Sequence, residues 1–245
     1  MDKITAYMAS FPDRAHGLPA VVASLWGQVD CLHVWLNNFN RPTIDWLKQM
    51  CPQDNVIFHD SNMLLQNKAV SDIGDAGKFF QVKHWEGYVL TVDDDIMYPE
   101  NYVDTMIDRV EEHKRQAVVS CQGRVFDGEI KSYNDHSIRR FGAFRYLPDD
   151  HPCDMLGTGA MCLHTDVFNG VPVSFSVFTH TNCSDILFSA ELKRRGIPMI
   201  AVRHESRWLT EIRYPKKIAT RLIDDDTTEV TLINSLLICP RPCIL

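Results

Sequence analysis

No segment of the 245-residue chain is apolar over the length needed to cross a bilayer, so no helical membrane span is expected. The eight cysteines include no CxxC pair and do not fall into a disulfide framework. Cys31, Cys121 and Cys162 sit in apolar runs, where a free thiol behaves as a small hydrophobe. Cys153 with Cys162, or Cys239 with Cys243, beside His151 or His164, would make a zinc site only at spacings that no usual finger shows. There is no internal repeat and no low-complexity linker. The start, Met1-Asp2-Lys3-Ile4, has no apolar signal core, and Cys243 lies third from the end, which is no prenylation box. A cytoplasmic protein is the expectation. With 45% hydrophobic and 23% charged residues, the composition is neither disordered nor fibrous. The length suits one domain, taken here as residues 1–210, and a C-terminal appendage, residues 211–245.

The net charge of −7 is unevenly spread. Between Lys193 and Arg221 nine Lys or Arg face only Glu205 and Glu211, a local +7 that leaves −14 elsewhere. Such a segment is either a solvated surface or a place for an anionic ligand.

Apolar periodicity gives the architecture. Residues 4–9 read as a short buried strand, and Leu18, Val21, Val22, Leu25 and Trp26 fall at helical spacing. Residues 31–36 predict a second strand, 43–50 a helix and 55–59 a third strand. That alternation builds a mostly parallel, Rossmann-type sheet flanked by helices, an α/β fold. Further along, 78–85 predicts a helix, 88–92 a central strand, 99–114 a helix opened by Pro99 and Glu100, and 117–121 a strand. Residues 122–150 show no clear period. Residues 184–195 predict a helix capped by Ser184, and 197–202 a last strand.

Asp93-Asp94-Asp95 directly follows the central strand. Three adjacent carboxylates repel, so such a run at a buried strand end calls for a compensating cation. Hard divalent ions take carboxylate oxygens and keep positions for phosphate. The plain alternative is a solvated acidic turn, which is how Asp224-Asp225-Asp226 reads in its polar surroundings.

The block Thr91-Val92-Asp93-Asp94-Asp95-Ile96-Met97-Tyr98-Pro99 resembles the DXD motif of GT-A-fold glycosyltransferases. Further pieces resemble a bacterial and phage glycosyltransferase group. They are Met8 to Arg14, Val34 to Asn38, Asp75 to Phe79, Tyr102-Val103, Gly157 to Gly159, Asp185 and Ile197-Pro198, in that order. The resemblance spans roughly residues 3–210 and implies a GT-A-like fold. It implies Asp93 and Asp95 as ligands of Mn²⁺ or Mg²⁺, with His204 as a third ligand or simply a structural histidine. It implies donor contacts from Asn38, Lys78, Asp93, Asp94 and from Arg14, which is otherwise a plain surface residue; the basic segment, following the last strand, would bring Arg207 to the same side. Gly157, Thr158 and Gly159 would let the backbone approach the transferred sugar, or form an ordinary tight turn. Asp185 would be the catalytic base, or a partner of its helix dipole.

The implied activity is transfer from a nucleoside-diphosphate sugar, with uridine expected, to an acceptor hydroxyl. That acceptor is either a glycan intermediate or a hydroxymethylated base in phage DNA. Two alternatives stay beside it: a non-catalytic sugar or nucleotide binding module, and a sugar-1-phosphate nucleotidyltransferase. The second would need a glycine-rich phosphate loop after the first strand, where this chain reads Ser10-Phe11-Pro12-Asp13-Arg14.

Overall fold

The computed structural model describes residues 2–64, 72–214 and 225–238. Its centre is an eight-stranded sheet. The strands are β1 (Ile4–Ser10), β2 (Cys31–Leu36), β3 (Val56–Asp60), β4 (Tyr88–Asp93), β6 (Val118–Ser120), β9 (His151–Pro152), β11 (Ala160–His164) and β12 (Met199–Ala201), in the order β3-β2-β1-β4-β11-β6-β12-β9. Six run the same way, and β11 and β9 run against them. The sheet is thus mostly parallel, as the periodicity predicts. A small sheet joins β7 (Gly123–Phe126), β8 (Ile138–Phe141) and β10 (Met155–Leu156), and β5 (Ile96–Met97) pairs with β13 (Thr210–Glu211).

The helices are α1 (Leu18–Leu25), α2 (Arg41–Met50), the single turn α3 (Ser61–Leu64), α4 (Tyr102–Glu112), α5 (Ser184–Arg195) and α6 (Thr227–Leu232), which continues as a π-helical turn over Ile233–Ile238. Among the described residues, no helix is long and apolar enough to cross a membrane.

Alternation along the strands sorts side chains into two cores. Ala6, Met8, Leu32, Val34, Leu90 and Val92 face α1, α2 and α4. Tyr7, Val89 and Val118 face the other way, onto Phe79, Trp85 and the α5 residues Phe188 and Leu192. A third cluster sets Ile130 and Ile138 against Ile186 of α5 and Ile233 and Leu237 of the C-terminal helix. Part of the stretch beyond residue 210 therefore packs on the α/β body.

Several elements differ from the sequence expectation. Residues 78–85 do not form one α-helix. They belong to two 3-10 turns, Gly74–Phe79 and Val82–His84. Pro99 lies outside α4, because its carbonyl accepts from Tyr102 N and Gln28 Nε2 in the turn before the helix. Ser184 is the first residue of α5 and not its cap. Its N–H donates to Asp75 Oδ2 at 3.1 Å, so the helix start is satisfied from 109 residues away. Residues 122–150 contain β7 and β8, four residues each, whose burial does not alternate along the strand and so leaves no period. Asp226 is not solvated in the way its sequence suggests. Its Oδ2 accepts from Ser132 Oγ and Tyr133 N, both at 2.7 Å. Six cysteines in the described residues are free thiols.

On the α5 side, His33 Nδ1 and His59 Nε2 meet at 2.8 Å, with Tyr7 stacked flat on His33 at 4.9 Å. Burial pushes both imidazoles down to about 4. A base whose folded pKa lies below its unfolded value resists protonation only while folded. Its contribution is complete above about pH 6.5 and is lost as the pH falls toward 4. Between pH 7 and pH 5 the pair should therefore lower stability, the two rings titrating together because they share a hydrogen bond. Urea unfolding of wild type and His59→Gln at pH 7 and pH 5 should show a clearly smaller pH-linked loss in the variant. Equal losses would remove the pair as the cause.

Candidate functional site

The carboxyl ends of parallel strands lie on one edge of a sheet. β2, β1 and β4 are neighbours, with Ser10 opposite Leu36 and Ala9 opposite Asp93. Asn37 and Asn38, Ser10 to Arg14, and Asp93 to Asp95 therefore emerge together, where α/β sheets bind ligands. Two charged groups form there, each around a buried cation.

Lys78 anchors the first. Its turn can lie against β2 because Gly77 has no Cβ, which would overlap the Trp35 indole. Lys78 Nζ donates to Asp93 Oδ1 at 2.6 Å and to Thr158 Oγ1 at 3.1 Å, with 4% of its side chain exposed. Burial alone would lower its pKa, but Asp93, Asp75 and Asp185 outweigh that and raise it. Thr158 passes the contact on: its N–H and hydroxyl both donate to Asp185 Oδ1, at 2.8 and 2.6 Å. Among the described residues no hydrogen bond reaches Asp185 Oδ2. One oxygen of this carboxylate is fixed and the other is open.

Asp75 completes the group. Its Oδ2 accepts from Ser184 N and Oγ, while its buried Oδ1 has no hydrogen-bond partner. Burial pushes its carboxyl up to about 6, against the pull of Lys78 and Ser184. Sequence reasoning places Asp75 only within the Asp75–Phe79 stretch. Its role depends on α5, which no local signal connects to it.

Arg14 anchors the second group. It is 4% exposed in its side chain, and its NH1 lies 3.1 Å from Asp95 Oδ2. Its Nε is buried without an acceptor. Asp94 is buried, and desolvation pushes its carboxyl up to about 7 although Ser10 and Arg14 pull it down. Chain returning through β13 closes this group: Ile212 N donates to Asp95 O at 2.7 Å, and the Tyr214 ring lies 4.1 Å over the Arg14 guanidinium. Thus Ile212 and Tyr214 of the 193–221 segment reach the triplet, whereas Arg194, Arg195 and Arg203 are paired elsewhere. Arg213 is exposed there, and Lys216, Lys217 and Arg221 lie outside the described residues.

The Gly-Thr-Gly stretch joins β10 to β11 beside β4. Tyr98 Oη donates to Gly159 O at 2.5 Å and accepts from Asp93 N at 2.8 Å. A Cβ on Gly159 would overlap the Asp93 carboxylate, and one on Gly157 would overlap Gln122. The room at both glycines is filled from within the protein. Gly159 is required so that Asp93 can lie against the β11 backbone.

The remaining expected residues sit apart from these groups. Asn38, in a left-handed conformation (φ 55°), donates from Nδ2 to Asp72 Oδ2 at 3.1 Å on the same sheet edge. Arg207 lies in an exposed turn, its N–H bonded to Phe144 O. His204 Nδ1 lies 2.8 Å from Val202 O and Nε2 3.4 Å from Gly142 O. Among the described residues no three His, Cys, Asp or Glu groups are disposed to hold a metal ion by themselves. His204 is therefore not brought into a ligand set with Asp93 and Asp95.

No family model matches the sequence, and no curated protein matches it. Among solved structures, the chain is similar to glucosyl-3-phosphoglycerate synthase from Mycobacterium tuberculosis, crystallised with Mn²⁺, uridine diphosphate and phosphoglyceric acid. The two are 14% identical over 49% of this chain and 42% of that one, with a TM-score of 0.38. A likeness this slight carries no residue roles across.

Removing Lys78 tests how far the first group depends on it. Lys78→Met leaves Asp93 without its buried partner; because the Asp93 side chain is 40% exposed, water offsets part of the cost and the loss should fall below the ~3–5 kcal/mol of a fully buried pair, on the order of 1–3 kcal/mol. Denaturant unfolding at pH 7 should show a drop of that order. A midpoint near the wild-type value would mean that the carboxylates do not need this cation.

Proposed function

We propose that this protein is a metal-dependent glycosyltransferase that moves a sugar from a UDP-linked donor to an acceptor hydroxyl, of a glycan or of a hydroxymethylated base in phage DNA. The observation that carries the reading is the convergence of Asp93 and Asp185 on Lys78 and Thr158 at the carboxyl end of β4. It sets a donor-side carboxylate and an acceptor-side carboxylate on one scaffold, each held by a buried partner.

The residues present fit a divalent cation in charge. Lys78 and Arg14 are the fixed positive charges facing Asp75, Asp93, Asp94, Asp95 and Asp185. Burial favours the neutral forms of Asp75 and Asp94, which reduces the surplus without cancelling it. The Asp93 side chain is 40% exposed and that of Asp95 21%, so both can meet an ion from solvent. Mg²⁺, and Mn²⁺ with similar oxygen preference, is commonly held by one or two carboxylates together with substrate phosphates. Asp93 and Asp95 would hold the ion, which when bound would offset charge developing on the leaving diphosphate.

The chain's own residues supply the rest. Arg14 and Lys78 keep Asp93 and Asp95 in place and bring positive charge to the diphosphate side. Asn38 is a donor-side residue in this reading, Asp94 lies beneath the donor side, and Gly157, Thr158 and Gly159 act by seating Asp93 and Asp185 rather than by contact with the sugar. Asp185 takes the acceptor proton through its open Oδ2, with Oδ1 pinned by Thr158. Its carboxylate caps no backbone N–H of its own helix in these contacts, which favours the base role over a capping role.

The test uses purified protein with UDP-glucose. Slow hydrolysis should appear with Mn²⁺, vanish in chelator, and return when Mn²⁺ is restored. Asp95→Ala should abolish it; because Asp95 also pairs with the buried Arg14, the variant should be less stable, and circular dichroism at the assay temperature checks that it stays folded. Asp185→Asn should lower acceptor-dependent turnover by ~10²–10⁴-fold with donor affinity little changed. Hydrolysis that persists in chelator, or in Asp95→Ala, would refute the metal assignment.

A further inference from the structure

A cavity of about 370 Å³ lies away from the carboxylate groups, between α4, the loop before β9 and the turn after β12. It is separated from Asp93 by an aromatic layer. Tyr98 holds the Asp93 backbone, its ring lies 4.6 Å from that of Tyr102, and Tyr102 lies 5.7 Å from Trp208, which lines the cavity.

Asn101, Thr105 and Arg109 line one wall at i, i+4 and i+8, so a single polar stripe of α4 faces this space. Trp208 and Tyr146 supply aromatic surface. Trp208 is held in orientation, since its Nε1 donates to Asn101 Oδ1 at 3.1 Å and its ring packs on Tyr102. Tyr146 is 60% exposed. Arg109 Nε is buried without a hydrogen-bond partner. That atom lies behind the wall, so the stripe offers Asn101, Thr105 and the terminal guanidinium nitrogens of Arg109 to a ligand.

Charge decides which ligand. Arg109 and Arg203 both line the cavity, but neither charge is uncompensated. Arg109 NH1 lies 2.8 Å and Arg203 NH2 2.9 Å from Glu112 Oε1, and Arg203 NH1 lies 3.3 Å from Asp150 Oδ1. Glu205 adds a carboxylate on the wall itself. Two guanidinium charges thus meet three carboxylates, and an anion would enter no net positive field. What remains is a set of planar, fixed donors and acceptors between aromatic faces. Those suit a neutral polyol. Ring C–H groups pack on the electron-rich aromatic face, while vicinal hydroxyls use the guanidinium, amide, hydroxyl and carboxylate groups. The volume falls in the range of small-molecule sites.

We propose that this cavity binds saccharide, taking a neutral sugar unit against Trp208 and Tyr146 with the polar α4 stripe of Asn101, Thr105 and Arg109 on its hydroxyls. It stands independently of the transferase reading, because binding here requires neither donor nor metal. If that reading holds, the cavity gives a glycan acceptor a second hold away from the reacting hydroxyl.

The experiment is calorimetric titration of the full chain, without metal or nucleotide, against maltohexaose, chitotetraose and mannotetraose. Separate arms use a glucuronate-containing oligosaccharide and inorganic phosphate. At least one neutral oligosaccharide should bind, and Tyr146→Ala and Arg109→Met should each weaken it about tenfold. Trp208→Ala should weaken it further, but Trp208 also packs on the core, so the exposed Tyr146 is the decisive site. The proposal fails if no neutral oligosaccharide binds, if both variants bind like wild type, or if phosphate or the acidic oligosaccharide binds in preference. Since UDP-glucose hydrolysis is measured separately, loss of one result leaves the other standing.

Discussion

The candidate site depends on a buried lysine. Lys78 has almost no contact with water, and a lone ammonium there would be strongly disfavoured. It stays charged because Asp93, Asp75 and Asp185 surround it. These carboxylates come from the end of β4, from a 3-10 turn and from the first turn of α5. Lys78 therefore joins segments that are more than 100 residues apart. Each segment brings an acid that would repel the others if the cation were absent. Asp75 extends the link by satisfying the start of α5, so the helix end, the turn and the strand end share one electrostatic balance.

The same economy of contact appears in the backbone beneath. Tyr98 bonds both to Asp93 N and to Gly159 O, fastening β4 to the start of β11 where the acidic triplet leaves the sheet. Gly159 lets Asp93 lie directly on that backbone. On the far side of Tyr98, the stack through Tyr102 to Trp208 carries the packing out to the second cavity. One aromatic layer thus separates a strongly charged site from a compensated, hydroxyl-suited one. Arg14 mirrors Lys78 on the other flank, where Tyr214 reduces its contact with water and holds the returning chain near Asp95.

Much of this was legible in the sequence because it rests on short-range pattern. The first three strands, the first two helices and the central strand each carry a period of 2 or 3.6, or a run short enough to be a buried strand. The acidic triplet and its place at a strand end follow from adjacency alone. Lys78, Thr158 and Asp185 could be named by resemblance, since each lies in a recognisable local string. Their order along the chain, however, gives no distance between them.

Tertiary structure alone decided what required groups from remote segments to meet. Asp75 became a helix-end acceptor, Gly159 a seat for Asp93, and Asp226 a partner of Ser132 and Tyr133. β7 and β8 are short strands whose burial does not alternate, so no local period announced them, and only their pairing with each other and with β10 made them strands. His204 was set against backbone carbonyls and a cavity wall, apart from Asp93 and Asp95, because the turn after β12 packs on the 142–147 loop. The sequence by itself determined the α/β layering and the strand-end carboxylates, through periodicity and adjacency. Which carboxylate meets which cation depended on strand order and helix placement, because electrostatic energy is set by distance in space and not by distance along the chain.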